Sequence, residues 1–281
     1  MIRKTISYLC FIMGLTLLCL NGIGIFIFHQ YPFDNANFTT ETTIERTIAY
    51  KNSLKNLQRA KDMPFEEKIR TAMNAVNSGI IHYWPDNKTQ DPNLRVPLSK
   101  NFILNILSYL DPFFEKLGNH PFLFTNYQIQ NHFDMLERGV GICGMQSIAL
   151  VGFLGELDSP ASMIGLNGHV VVMVESQEGE PYILDPDNGI LMPISLQTAE
   201  NNPDSVQKYY INGGCSYETA CMISDLYSSK DNIVVGGGAE KFNPNLYKIE
   251  QVAVFIKWII PIALIGTGAF FRIRKNQLNL P

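Results

Sequence analysis

The sequence predicts an α+β domain carried between two membrane-spanning helices. Three observations predict it. Long apolar runs stand near both ends of the 281-residue chain, helix-patterned segments fill the middle, and a β-branched hairpin follows them. The composition agrees. Only 17% of residues are charged, against roughly 25% in ordinary soluble domains, while 46% are hydrophobic, which excludes a disordered chain. A formal net charge of −4 supplies no basic surface, so no nucleic-acid partner is expected.

The first run, residues 5–28, has no charged side chain and is long enough as a helix to cross roughly 30 Å of hydrocarbon. A cleavable signal peptide would be shorter and end in small residues. Here His29, Gln30, Tyr31 and Pro32 follow, so an uncleaved anchor is expected. The second run, residues 252–271, carries one charge, Lys257, which can snorkel to the near interface, and Pro261, which can kink it. A buried core helix would not need its length, its Gly266–Thr267–Gly268 stretch or the basic 272–281 tail with Arg272, Arg274 and Lys275. With Arg3 and Lys4 before the first run, both termini are expected to be cytoplasmic. The chain then passes the membrane twice and places residues 29–251 outside the cytoplasm, in a periplasm or extracellular space. All 26 acidic residues lie between the runs with 16 of the 22 basic ones, so that segment carries about −10.

Residues 29–61 read as a stalk with one weak apolar face, Ile44, Ile48, Leu54 and Leu57. A helix follows, capped by Asp62, with Pro64 in its first turn and Glu66–Glu67 at its positive end. Gly79 ends it, and Ile80–Trp84 is extended. Residues 85–99 are Pro- and Asn-rich loop. Phe102–Leu110 is a helical run stopped at Asp111–Pro112, and a further helix is expected around Tyr127–Leu136. Gly236–Gly238 lacks the Lys-Ser/Thr pair of a phosphate loop. Sequons stand at Asn37 and Asn87. Of the five cysteines, Cys10 and Cys19 lie in the first run, and Cys215 and Cys221 could close a small disulfide loop. Cys143 is left over.

The chemistry gathers in residues 138–190. After Arg138-Gly-Val-Gly-Ile, Cys143 opens a helix whose body, Met145–Leu157, is apolar nearly all round and therefore central. The free N–H groups and positive end of that helix favour a thiolate, the form that attacks carbonyls. Gly168-His169-Val-Val-Val-Met-Val174 reads as a strand, Ser176–Gly179 as a turn, and Pro181–Leu184 as a second strand ending at Asp185-Pro-Asp187-Asn-Gly189. A hairpin centred near Gln177 sets His169 opposite Asp185 on one face. The carboxylate would orient the imidazole, and the imidazole would keep Cys143 ionised: the nucleophile, base and orienter of acyl transfer. Each residue alone has a plainer reading, as a core cysteine, a structural histidine and a turn aspartate. Their order and their places at the edges of elements favour the joint one. A zinc site on the same three residues is the weaker alternative.

These motifs, Gly-x-Cys-Gly opening a helix, a Gly-His-Val strand and a strand ending Leu-Asp-Pro, resemble the core of the transglutaminase-like superfamily of papain-related thiol enzymes. The resemblance covers residues 62–192, with Pro64–Trp84 similar to the helix and short strand that precede that core. It implies an α+β fold with the cysteine helix packed on an antiparallel sheet that bears the histidine and aspartate. It implies Cys143 as nucleophile, His169 as base and Asp185 as third member, with Asp187 the weaker candidate for that role, and no cofactor or metal. Residues 85–137 then form a helical insertion, and 193–251 a C-terminal extension without an assigned role. No glutamine stands shortly before Cys143 to donate to an oxyanion; Gln128 and Gln130 lie further upstream. The Cys143 N–H can supply one donor.

The expected function is that of a membrane-anchored thiol enzyme acting on a protein, peptide or other amide-containing substrate through a Cys143 thioester. The alternative is a non-catalytic binding or assembly module in a membrane or cell-envelope complex.

Overall fold

The computed structural model describes residues 2–31, 40–83, 91–118 and 123–278; Trp84 and the sequons at Asn37 and Asn87 lie outside the described residues, as do the side chains of Ile44 and Ile48. The first helices in chain order are α1 (Ile2–Phe26), α2 (Thr40–Ala60), α3 (Phe65–Gly79), α4 (Phe102–Lys116), α5 (His132–Arg138) and α6 (Cys143–Glu156). Then come α7 (Leu196–Asn201), α8 (Pro203–Asn212), α9 (Tyr217–Ser228), α10 (Ala239–Phe242) and α11 (Pro244–Leu278). The strands are β1 (Ile81–His82), β2 (Val140–Gly141), β3 (Ala161–Leu166), β4 (His169–Glu175), β5 (Pro181–Asp185), β6 (Ile190–Met192) and β7 (Ile233–Val235).

The chain is thus a mixed helix-and-sheet protein, and it divides into two compact units. One contains the terminal helices with the described part of Pro85–Tyr127; the other contains the described parts of Gln30–Trp84 and Gln128–Tyr247. The segment expected as one insertion, 85–137, is therefore shared between them.

In the second unit, an antiparallel sheet runs in the order β6-β5-β4-β3-β7. Its apolar face, including Ile164, Val171, Ile183 and Met192, packs on Val206, Tyr210, Ile223 and Tyr227 of α8 and α9. Helix α6 packs on β3 and β4. The two-stranded sheet of β1 and β2 is parallel, with Ile81 beside Val140 and His82 beside Gly141. Local chemistry explains the ends. Asn131, Ser195, Asn202 and Ser216 cap α5, α7, α8 and α9 by accepting backbone N–H bonds, and Gly139 ends α5 in the left-handed region.

Several boundaries differ from expectation. Within the segment expected as a stalk, α2 packs on α3: Leu57 and Ala60 are buried, and the Ser53 hydroxyl donates to the Ala75 carbonyl. Helix α3 starts at Phe65 with Pro64 at its N-cap, so Asp62 does not cap it. Helix α5 begins at His132, five residues after the expected start at Tyr127, because the Asn131 side chain takes the N–H groups of Phe133 and Asp134.

In the first unit, α1 and α11 run antiparallel. Ser7 Oγ donates to the Gly268 carbonyl at 2.6 Å, and Asn21 Nδ2 donates to the Lys257 carbonyl at 2.6 Å. Between them, a Cβ on Gly14 would fall 2.7 Å from the Pro261 carbonyl oxygen, so small residues let the backbones approach. Both helices are long and apolar enough to cross a membrane, and only 17% of each apolar window is buried, unlike a soluble core helix. Helix α4 does not stop at Pro112 but continues through it. Proline has no N–H for the Ser108 carbonyl, and the Thr125 hydroxyl takes that place at 3.1 Å.

Candidate functional site

Cys143 is the first residue of α6, following Ile142 in extended conformation. The helix enters against the start of β4, where Ser147 Oγ donates to the Val170 carbonyl at 2.9 Å and Gly144 faces the Val170 side chain. This docking brings the sulfur close enough to His169, the first residue of β4, for Cys143 to help raise the pKa of the imidazole.

His169 Nε2 meets Asp185 Oδ2 at 2.8 Å, so the carboxylate holds the ring through Nε2 and not Nδ1. The strand register differs from the expected one. Val172 pairs with Leu184 and Glu175 with Pro181, so the hairpin is centred on Glu178 and Asp185 lies two residues diagonally from His169. The cause is the turn: Ser176 N–H donates to Glu180 and Gly179 N–H to Ser176, closing a three-residue loop with Gly179 at φ +84°. A shift of two preserves the face, so the side chains still meet.

Asp185 is fully buried and saturated. Its Oδ2 also accepts the Tyr210 hydroxyl at 2.6 Å and Asn188 Nδ2 at 2.9 Å, while Oδ1 accepts the N–H groups of Asp187 and Asn188. Burial alone would raise its pKa, but the His169 charge and these donors hold it below the ordinary carboxylate value. For His169, burial works against the charged ring; the Asp185 carboxylate and then Cys143 overcome it and push the imidazole up to about 10. Burial, reinforced by Asp185, keeps Tyr210 protonated as a donor. Cys143 and His169 are both buried, each keeping 7% of its surface exposed.

Asp187 is not the partner of His169. Its carboxylate sits 2.6 Å from His82 Nδ1 and accepts Gln146 Nε2 at 2.9 Å. Gln146 lies one turn after Cys143 on α6, and Asn77 Nδ2 ties the same turn through the carbonyls of Pro186 and Asp187. The 185–189 turn is therefore fixed from α3, β1, α6 and α8 at once. Tyr210, Asn188, Gln146 and His82 belong to this network without having been singled out from the sequence. Only the Asp-Asn-Gly turn chemistry around Asn188 signalled any of them.

Cys215 and Cys221 form no disulfide. Both are free thiols; Gln207 Nε2 donates to Cys221, and Cys215 faces Asn188. Burial and the Asp185 charge raise the Cys215 pKa, which keeps it a thiol. Among the described residues, no group of three or more His, Cys, Asp or Glu is placed to hold a metal ion. Comparison with protein-family models, with curated proteins and with solved structures finds no match.

Proposed function

We propose that this chain is a membrane-anchored thiol enzyme of transglutaminase-like type, transferring an acyl group from an amide through Cys143. The observation that carries the reading is the placement of one imidazole between a helix-start cysteine and a saturated, buried carboxylate. In the first half-reaction the Cys143 sulfur bonds to the amide carbonyl carbon, and the C=O electron pair moves onto oxygen. Collapse breaks the C–N bond, and the leaving nitrogen takes the proton held by His169. Water or an amine then attacks the thioester, gives its proton to His169, and the C–S bond breaks to return the cysteine. Asp185 holds the ring orientation and stabilises the imidazolium throughout. Two antiparallel apolar helices support anchoring of the chain to a membrane, and a protein, peptide or other amide-containing molecule is its substrate.

The test uses p-nitrophenyl acetate and the full chain in detergent. The expected result is one acetyl group on Cys143 by intact-mass and peptide analysis, with matching p-nitrophenolate release and slow hydrolytic turnover. The burst disappears in Cys143→Ala and slows at least about tenfold in His169→Ala. Acetylation spread evenly over the five cysteines, or none, would overturn the reading.

A further inference from the structure

We propose that α4 is a third membrane contact, lying in the lipid interface beside the ends of α1 and α11; this rests on the membrane-anchored reading above. Helix α4 has two apolar faces of different fate. Leu104 is buried on the inner face, where Ser108 and Asp111 are held by the Thr125 hydroxyl and by the Phe124 and Thr125 N–H groups. The outer face carries Ile106, Tyr109, Leu110, Phe113 and Leu117, all exposed, with Phe113 at 61% and Leu117 at 63%. Their spacing of three and four residues makes one continuous stripe about 16 Å long, every member of which stays exposed.

The lipid surface is the occupant because of where α4 begins. Lys257 Nζ donates to the Lys100 carbonyl at 2.7 Å, and Gly24 lies against the Ser99 carbonyl. Residues 99–100, directly before α4, therefore touch both apolar helices at one end of the pair. The opposite end is marked by the Arg272 guanidinium over the Tyr8 ring. Lys257 is the single charge within the apolar 252–271 run, and it turns toward this end, as a cation does at the hydrocarbon boundary. Arg95 lies 4.4 Å over the outward Tyr109 ring, which puts a guanidinium and a phenol where headgroups would meet the stripe. An apolar helix face starting at that level is buried when it enters the boundary between headgroups and acyl chains.

The experiment places the photo-crosslinker p-benzoylphenylalanine singly at Phe113, at Glu115 on the other side of α4, and at Ile12 in α1. The full chain is illuminated in nanodiscs of phosphatidylcholine with phosphatidylglycerol, and adducts are read by mass spectrometry. All three positions are exposed, so the substitutions leave the core intact. Expected are lipid adducts at Ile12 and Phe113, with at least about fivefold less at Glu115. Lipid adducts at Ile12 but none at Phe113 would overturn this inference and leave the anchoring reading standing. Adducts joining Phe113 to a protein, including a second copy of the chain, would also overturn it. Absence of lipid adducts at both Ile12 and Phe113 would remove the anchoring reading and this inference together.

Discussion

Asp185 collects five donors on two oxygens, so every lone pair of the buried carboxylate is engaged and it stays ionised without solvent. Removing one exposes the balance. Tyr210→Phe should lower unfolding free energy by about 1.5–3 kcal/mol in urea melts and slow Cys143 alkylation, with the fold intact by circular dichroism. The His169 shift sets a pH window. Its folded value, about 10, lies above the ordinary 6.5, so its stabilisation is complete below 6.5 and fades as pH rises to about 10. Wild-type stability should fall through that interval by at most about 1.4 kcal/mol per pH unit relative to His169→Gln. On the acid side, the Asp185 contribution is present above 3.8 and is lost as pH falls through its lower folded value. Cys143, His169 and Asp185 were legible in the sequence because each stands at the edge of a strongly patterned element. Tyr210 was not: it reaches Asp185 from a helix 25 residues further on, and its sequence signal is that of an ordinary core aromatic.

At the scale of elements, the β4–β5 hairpin decides whether histidine and aspartate share a face. Its turn requires Gly179 at φ +84°, where a Cβ is strained although no neighbour blocks it. Gly179→Ala should therefore cost about 1–2 kcal/mol in thermal or urea unfolding, with little change in Cys143 alkylation below the transition. A loss of alkylation much greater than the loss of stability would mean that the register slips. Local signals located this hairpin but misplaced its centre by one residue, because they could not tell which residue would adopt the left-handed conformation. The same limit explains α4. Proline predicted a stop at Asp111, whereas the Thr125 hydroxyl, distant in sequence, satisfies the Ser108 carbonyl and lets the helix continue. Thr125→Val should then cost about 1 kcal/mol and loosen α4 in hydrogen exchange.

At the scale of the molecule, the antiparallel α1 and α11 bring the two ends of the described chain to the same side of the helix pair. With basic residues flanking both runs, reporters fused to either terminus should respond alike, both active in the cytoplasm, and alkaline carbonate should leave the chain in the membrane fraction. Opposite reporter responses would contradict this topology. The apolar runs were easy to read because spans need only length and absence of charge. The grouping of residues 91–118 with them was not readable, since it depends on tertiary contacts such as Lys257 with Lys100.

The central claim is that His169 activates Cys143. Iodoacetamide alkylation of Cys143, followed across pH in the detergent-solubilised full chain and in His169→Ala, tests it most directly. The account predicts that Cys143 reacts ahead of Cys215 and Cys221 at pH 7, and that the variant is slower there by about tenfold or more, with a displaced pH profile. Equal rates and superimposable pH profiles in the two proteins, or a Cys143 that does not react in the folded chain, would contradict it.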